Sequence, residues 1–483
     1  MEYHGILLCG TSPSLAGRIL SLPRLRTAAT RAGFDILTAD YLYDLTRTEI
    51  MDFLKKHITK KTKFIGFSLT WWEPSAAFIN WASPDFINEI RSLWPDILIV
   101  TGNQINKVTI KSDYQFHGMS DYSFVEFLKK LHGQPHSLFV QRPIGNATYK
   151  YVVDSNSSNP VINLDDTSTE FILEDDVYPH DTLPLEISRG CVFSCAFCRY
   201  PFQGKKHNEY IRSAESMATE IRRNYDLFGI TRYNVMDSTL NDNIYKLELM
   251  QKALDIAKLP KPLEFNAFVK PEMLVTQGKE MIPRLIDLGL TGAFFGVESL
   301  SNSSRRGMNK GMDIKKILDM SYKLVDDSKH KVKLCASMII GLADDTVDMI
   351  HQTREFFIKE QDKLFKQWLF YALDLRTVKT DMFAGTESEM EKDPAKYGYT
   401  LAPGGQSWTN KHMTYAIATQ LMKDIKKADS GVCKAGGWSV PMGWLLNKSE
   451  SELINDPVNT YWNDYAALTK SEAKRRYTNA MNR

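Results

Sequence analysis

The stretch "PLEISRGCVFSCAFCRYPFQGKK", residues 184–206, places three of the chain's six cysteines, Cys191, Cys195 and Cys198, within eight residues. The apolar run "LPLEIS" just before them has strand length, so the thiols lie on the turn that leaves a strand. Three thiols on a polar, Gly-containing turn is not a packing pattern. The other cysteines, Cys9, Cys335 and Cys433, are scattered, which is not the layout of a disulfide framework. Clustered thiols of this kind point to metal. Structural zinc takes four closed ligands in paired spacings, and the nearest fourth donor is His207, nine residues beyond Cys198. Three thiolates in CxxxCxxC spacing instead suit a four-iron, four-sulfur cluster with one iron left open for another ligand.

Outward from this turn, strand-length and helix-length segments alternate in both directions. Downstream, "LPLEIS", "RYNVMD", "LEFNAFV", "GAFFGVE", "KLCASMIIG" and "LFYALDL" are separated by amphipathic helices. That order predicts a complete or partial (β/α) barrel over 181–380, with its chemistry at the carboxyl ends of the strands. Upstream, "GILLC", "FDILTAD", "KFIGFSLT" and "DILIVTGN" alternate with helices and predict a doubly wound (Rossmann-like) α/β domain over 1–133. Residues 134–180 are rich in Asp, Asn, Ser and Thr and read as a linker with a small hairpin. Residues 381–483 read as a mostly helical segment that covers the open side of the barrel.

The 483 residues exceed one hydrophobic core, and 43% hydrophobic with 24% charged residues is ordinary for globular domains. Lys plus Arg number 60 against 58 Asp plus Glu, so no whole-protein field selects nucleic acid or anionic lipid. The basic runs "KKHITKKTK" and "EAKRRY" lack interleaved aromatics and read as solvated faces rather than a nucleic-acid signature. No apolar run reaches the roughly 18 residues that span a bilayer, and a cytoplasmic protein is expected.

The CxxxCxxC turn, with "FGITRYNVMDSTLNDN" (228–243), "LIDLGLTGAFFGVESLSNSSRRGMNKGM" (285–312) and "CASMIIGLADDT" (335–346), resembles the radical S-adenosylmethionine (SAM) superfamily over about 181–380. The resemblance implies that Cys191, Cys195 and Cys198 hold a [4Fe-4S] cluster and that SAM chelates its open iron. An electron, from a reductant such as flavodoxin or ferredoxin, then cleaves the sulfonium to methionine and a 5′-deoxyadenosyl radical. By the same resemblance Phe197 packs the adenine, Asp237 and Ser238 meet the methionyl amino group, and Glu298 and Gly341 lie near the nucleoside. At Asp237 and Ser238 the sequence departs from the superfamily's Gly-Gly-Glu form. The competing reading of Asp237 and Glu298 is a cap on the next helix.

A doubly wound domain ahead of such a barrel resembles the cobalamin-binding domain of one branch of the superfamily. The corrinoid motif DxHxxG is absent, since "DYQFHG" holds Asp113, His117 and Gly118 at another spacing. Trp71 and Trp72 follow the third strand, where contacts to the lower face of the corrin arise in that branch; their competing reading is core packing. Cys433, in the Gly-rich "SGVCKAGGWSVPMGW", is a candidate catalytic thiol or a spectator. The resemblance implies a cobalamin-dependent radical methyltransferase acting on an unactivated carbon. The rivals are a cobalamin-free radical SAM enzyme of rearrangement, epimerisation, cyclisation or oxidation, and a binding protein that uses its metal structurally. No motif names the substrate.

Overall fold

The computed structural model describes residues 2–9, 17–42, 45–69, 84–102, 110–142, 149–154, 163–200, 204–361, 363–375, 387–402, 407–429 and 458–483. Two six-stranded sheets, both parallel throughout, organise them. The first has strands β1 (Gly5–Leu8), β2 (Ile36–Ala39), β3 (Phe64–Ser68), β4 (Leu98–Gly102), β5 (Ser112–His117) and β6 (Tyr149–Asp154) in the order 2-1-3-4-5-6. Its order reverses between β1 and β3, the place where such sheets bind ligands beyond their carboxyl ends. Helices α1 (Ser21–Arg31), α2 (Arg47–His57), α3 (Pro84–Leu93) and α4 (Asp121–Leu131) accompany it. A capping box starts α2, where Thr46 accepts from Glu49 N and the Glu49 side chain accepts from Thr46 N.

Sequence periodicity finds four of these six strands. It misses β5 because Asp113, Gln115 and His117 alternate with Tyr114 and Phe116, yet the whole strand is buried. On the polar side Asp113 pairs with Arg91 and Lys150 and accepts from Ile99 N, and Gln115 Nε2 bonds His117 Nε2 at 2.9 Å. The aromatic side packs on Phe124 and Phe127 of α4. The expected linker over 134–180 differs too: its residues 149–154 form β6, which pairs parallel with β5, and Gln141 bridges Val152 in antiparallel fashion.

The second sheet runs β7 (Leu183–Leu185), β8 (Arg232–Val235), β9 (Glu264–Val269), β10 (Leu290–Glu298), β11 (Lys333–Ile340) and β12 (Phe365–Ala372), each strand beside the next in sequence. Among the described residues no further strand pairs with β7 or β12 at its edges, so it is a half barrel. Between the strands lie α5 (Ala214–Phe228), α6 (Ile244–Ala257), α7 (Pro271–Asp287), α8 (Asn302–Gly307), α9 (Ile314–Asp327) and α10 (Val347–Glu360). Alternate residues such as Phe265, Ala267 and Val269 are buried in the main core, as alternation in a strand with one face against helices requires.

The end of the chain divides between the two domains. The short helix α11 (Glu389–Lys392), the hairpin β13 (Thr400–Leu401) and β14 (Trp408–Thr409), and α12 (Tyr415–Ala428) belong to the barrel, α12 lying against β12. The final helix α13 (Val458–Asn482) packs on α2, with Tyr477, Ala480 and Met481 joining the first domain's core. Lys474 pairs with Glu49, and Arg476 lies near Asp40 and Asp181. Alternating charge along the helix hides this docking from a reading of hydrophobic pattern. Among the described residues, no helix is long and apolar enough to cross a membrane.

Candidate functional site

The cysteine turn leaves β7 and is held from every side. Arg189 N donates to Tyr210 O, Lys205 N to Cys191 O and Gly204 N to Phe193 O. Fully buried Ala196 is the pivot, donating to Met308 O at 3.1 Å and accepting from Met390 N at 3.0 Å. Arg199 ties the far end to Glu391 and to the Asp374 carbonyl. The three cysteines are partly exposed, and a polar group stands at each sulfur, for two of them from a different element. Cys191 Sγ lies 3.5 Å from Thr239 Oγ1 after β8. Tyr200 N donates to Cys198 Sγ at 3.4 Å, and the Lys270 ammonium, after β9, donates to Cys195 Sγ at 3.7 Å. Burial pushes the Cys198 thiol up to about 11, the Tyr200 amide opposes that shift, and the negative charge of Cys195 and Cys191 adds to it. Metal binding must displace these protons. Among the described residues, no three His, Cys, Asp or Glu side chains converge on a point suited to one metal ion, and His207 is exposed. Three thiols with separate donors fit a polynuclear cluster, in which different irons take different sulfurs.

Beneath the turn, Asp237 takes a role that spacing did not disclose. Its carboxylate accepts from Ile187 N, Ser188 N and Ser188 Oγ at 2.8–3.0 Å and pairs with Lys246 at 3.0 Å. Lys246 is wholly buried and also donates to Thr239 O and Ser188 Oγ. The pair therefore fastens the carboxyl end of β7 to that of β8. Asp237 is not a helix cap, because Asn243 caps α6. Its neighbour Ser238 is partly buried and bonds the Tyr200 hydroxyl. Lys246 went unnoticed in the sequence because a lysine in "IYKLELM" looks like the solvent side of an amphipathic helix.

At the end of β10, Glu298 is buried in the left-handed region, at φ +68°, a conformation that non-glycine residues hold under strain and that collects at functional sites. Its carboxylate lies 3.5 Å from Lys310 Nζ and accepts from Ser337 Oγ at 3.4 Å. A Cβ on Gly296 would stand 2.5 Å from Glu298 Oε1, so the glycine lets the carboxylate fold back over the strand. Burial raises the Glu298 pKa and Lys310 opposes the shift. Arg305 and Lys310 also face Glu272, at 2.6 and 3.8 Å. The cap of α8 is Ser301, so Glu298 is no cap either. Phe197 is partly buried against the barrel core. Gly341, at φ +104°, seats Trp408, whose Cη2 would stand 2.3 Å from an added Cβ. Its carbonyl accepts from Tyr399 and Asn410. Next to it Asp345 accepts from Ser299 and Ser304, and burial raises its pKa to about 6. Cys9 and Cys335 are core residues. Trp71, Trp72 and Cys433 lie outside the described residues.

Residues 185–357, from β7 into α10, match the model of the Radical SAM superfamily, so the half barrel carries that superfamily's domain. Bacteriochlorophyllide d C-12(1)-methyltransferase of Chlorobaculum tepidum is 24% identical over 185 residues, 37% of this chain and 38% of that protein. The chain thus matches about two fifths of the length of such curated relatives. Among solved structures, the radical S-adenosylmethionine methyltransferase TsrM of Kitasatospora setae, with tryptophan substrate and a SAM analog bound, aligns at TM-score 0.61 and 13% identity. That alignment covers 98% of this chain and 99% of TsrM. The cobalamin-dependent radical enzyme OxsB with aqua-cobalamin bound aligns at TM-score 0.55 and 15% identity, over 88% of this chain and 61% of OxsB. At such identities the likeness is one of fold, and it spans both domains.

Proposed function

We propose that the chain is a cobalamin-dependent radical SAM methyltransferase acting on an unactivated carbon. The observation that carries the reading is the pinned turn on which Cys191 and Cys195 face polar groups that follow β8 and β9, while Cys198 accepts from the turn's own Tyr200 amide. When bound, a [4Fe-4S] cluster with SAM supplies one-electron cleavage of the sulfonium and a 5′-deoxyadenosyl radical, and cobalamin supplies a methyl carrier. The protein's part is placement. The Asp237–Lys246 pair fixes the turn against β8, Phe197 offers an apolar surface to the adenine, and Glu298, held back over Gly296, presents a carboxylate to amino or hydroxyl donors. A one-electron donor such as flavodoxin or ferredoxin completes the requirement.

Cobalamin would occupy the carboxyl edge of the first sheet, near the reversal between β1 and β3. The "DYQFHG" stretch is β5 itself, with Asp113 ion-paired and buried His117 bonded to Gln115, so it is not arranged as a corrinoid histidine motif. The likeness in fold to TsrM and OxsB across both domains supports the corrinoid reading. Anaerobic reconstitution with iron, sulfide and hydroxocobalamin, followed by reduction with SAM, tests it. Expected are corrinoid absorption in the desalted protein, 5′-deoxyadenosine, and S-adenosylhomocysteine once a methyl acceptor is supplied. Loss of 5′-deoxyadenosine in Cys195→Ser is expected as well. A fully loaded protein that releases no 5′-deoxyadenosine would refute the radical reading, and one that retains no corrin would leave the cobalamin-free enzyme.

A further inference from the structure

Lys270 stands immediately after β9, and its backbone is gripped from both sides by one buried side chain. Lys270 N donates to Asn241 Oδ1 at 2.7 Å, and Asn241 Nδ2 donates to Lys270 O at 3.0 Å. Asn241 is wholly buried, and Pro271 opens α7 directly afterwards, so little freedom remains in where the lysine stem starts. Lys270 follows the carboxyl end of β9, at the barrel mouth. There its ammonium sits 3.6 Å from the centre of the Phe193 ring and 3.7 Å from Cys195 Sγ. Among the described residues no carboxylate stands within 4.0 Å of it, though its charge reaches Glu272; Lys310, which also feels Cys195, is paired with Glu298 and Glu272. A partly buried cation held against an aromatic face and one cysteine sulfur is oriented toward negative charge on that sulfur.

We infer that Lys270 is a positioning and charge-tuning residue of the cluster: its ammonium acts on the Cys195 ligand to favour the reduced state. The inference rests on the reading of Cys191, Cys195 and Cys198 as cluster ligands. Charge and hydrogen bonds at the ligand sulfurs are established controls on the potential of iron–sulfur clusters. Reduction adds one negative charge, and a fixed positive charge a few ångströms away stabilises the product more than the reactant. Phe193 shields the ammonium from water on one side, which strengthens the effect.

The test compares the full-length wild-type protein with Lys270→Met and Lys270→Arg, each reconstituted anaerobically with iron and sulfide and quantified by iron content and visible absorption. Redox titration followed by electron paramagnetic resonance, without SAM, is the readout. At the wild-type midpoint the ratio of reduced to oxidised cluster should fall about tenfold in Lys270→Met, a shift of about 59 mV to more negative potential for one electron. Lys270→Arg should stay near wild type. If Lys270→Met fails to keep its cluster while Lys270→Arg keeps it, the positive charge is still the required element. A loaded Lys270→Met that titrates with the wild type overturns the inference, as does equal cluster loss in both variants, which would mark Lys270 as a fold residue. A wild-type protein that takes up no cluster overturns the underlying ligand reading, and this inference with it.

Discussion

Asp345 shows how burial sets a protonation state near the barrel mouth. Its side chain is almost wholly shielded, one oxygen takes hydroxyls from Ser299 and Ser304, and among the described residues no cation stands against it to offset desolvation. The folded-state pKa therefore rises from 3.8 to about 6. A raised pKa means that its contribution to stability is fully present below the unfolded value of 3.8 and is lost as pH rises through about 6. At pH 8 the folded chain bears a buried carboxylate that would be more stable in water. Asp345→Asn should therefore raise the unfolding free energy of the apo protein by about 2 kcal/mol at pH 8 and leave it unchanged at pH 4. Urea denaturation at the two pH values checks this, and a pH-independent difference would contradict it.

Single elements bring distant segments to the strand ends. The hairpin of β13 and β14 has only two residues per strand, yet it carries fully buried Trp408 onto the turn after β11. The indole donates to Leu373 O at 2.7 Å, joining the ends of β11 and β12. Gly341 is needed twice, for its positive φ and for the space the indole fills. Gly341→Ala should cost about 2 kcal/mol in chemical denaturation, from strain and overpacking together. The clashing atoms Cη2 and Cζ2 belong to the outer ring of the indole, so the cost should shrink in a Trp408→Phe background. Equal costs in both backgrounds would leave strain at φ as the whole effect. "IIGLADD" alone marks the glycine but not its neighbour, because Trp408 lies 67 residues away by the numbering.

At the scale of the whole molecule, buried charge joins the two domains. Arg24 of α1 and Asp121 of α4 meet Glu186 and Arg189 beside the cysteine turn, with pairs at 2.5–3.6 Å and every side chain buried. Burial alone would raise the pKa of both carboxyls, but Arg189 and Arg24 hold Asp121 and Glu186 below their usual values. Arg18 and Arg476 form a second such group with Asp40 and Asp181. Removing one member of a buried network strands its partners, which costs about 3–5 kcal/mol. Asp121→Asn should accordingly lower the stability of the apo protein by about 3 kcal/mol and reduce the cooperativity of unfolding, as the domains come apart separately. An unchanged calorimetric transition would show that the network does not couple them. The residue before the cluster turn is thereby tied to the domain that would hold the corrin.

The sequence by itself determined the alternation of strands and helices in the barrel, the first four strands of the doubly wound sheet and the three cysteines, because these depend on local properties: periodicity along one element and the spacing of thiols on one turn. Gly341 and Glu298 were visible as positions through the resemblance of "IIGLADD" and "GVES" to the superfamily's strand-end motifs. Tertiary structure alone decided the rest. It made polar β5 a buried strand, drew β6 out of an apparent linker by pairing it with β5, and laid the last helix on the first domain, through contacts between residues far apart in the chain. It likewise turned Asp237 toward Lys246 and set Lys270 against Cys195. A lysine carries no local signal that separates a solvated face from a buried partnership, because its charge is settled only by what the fold brings beside it.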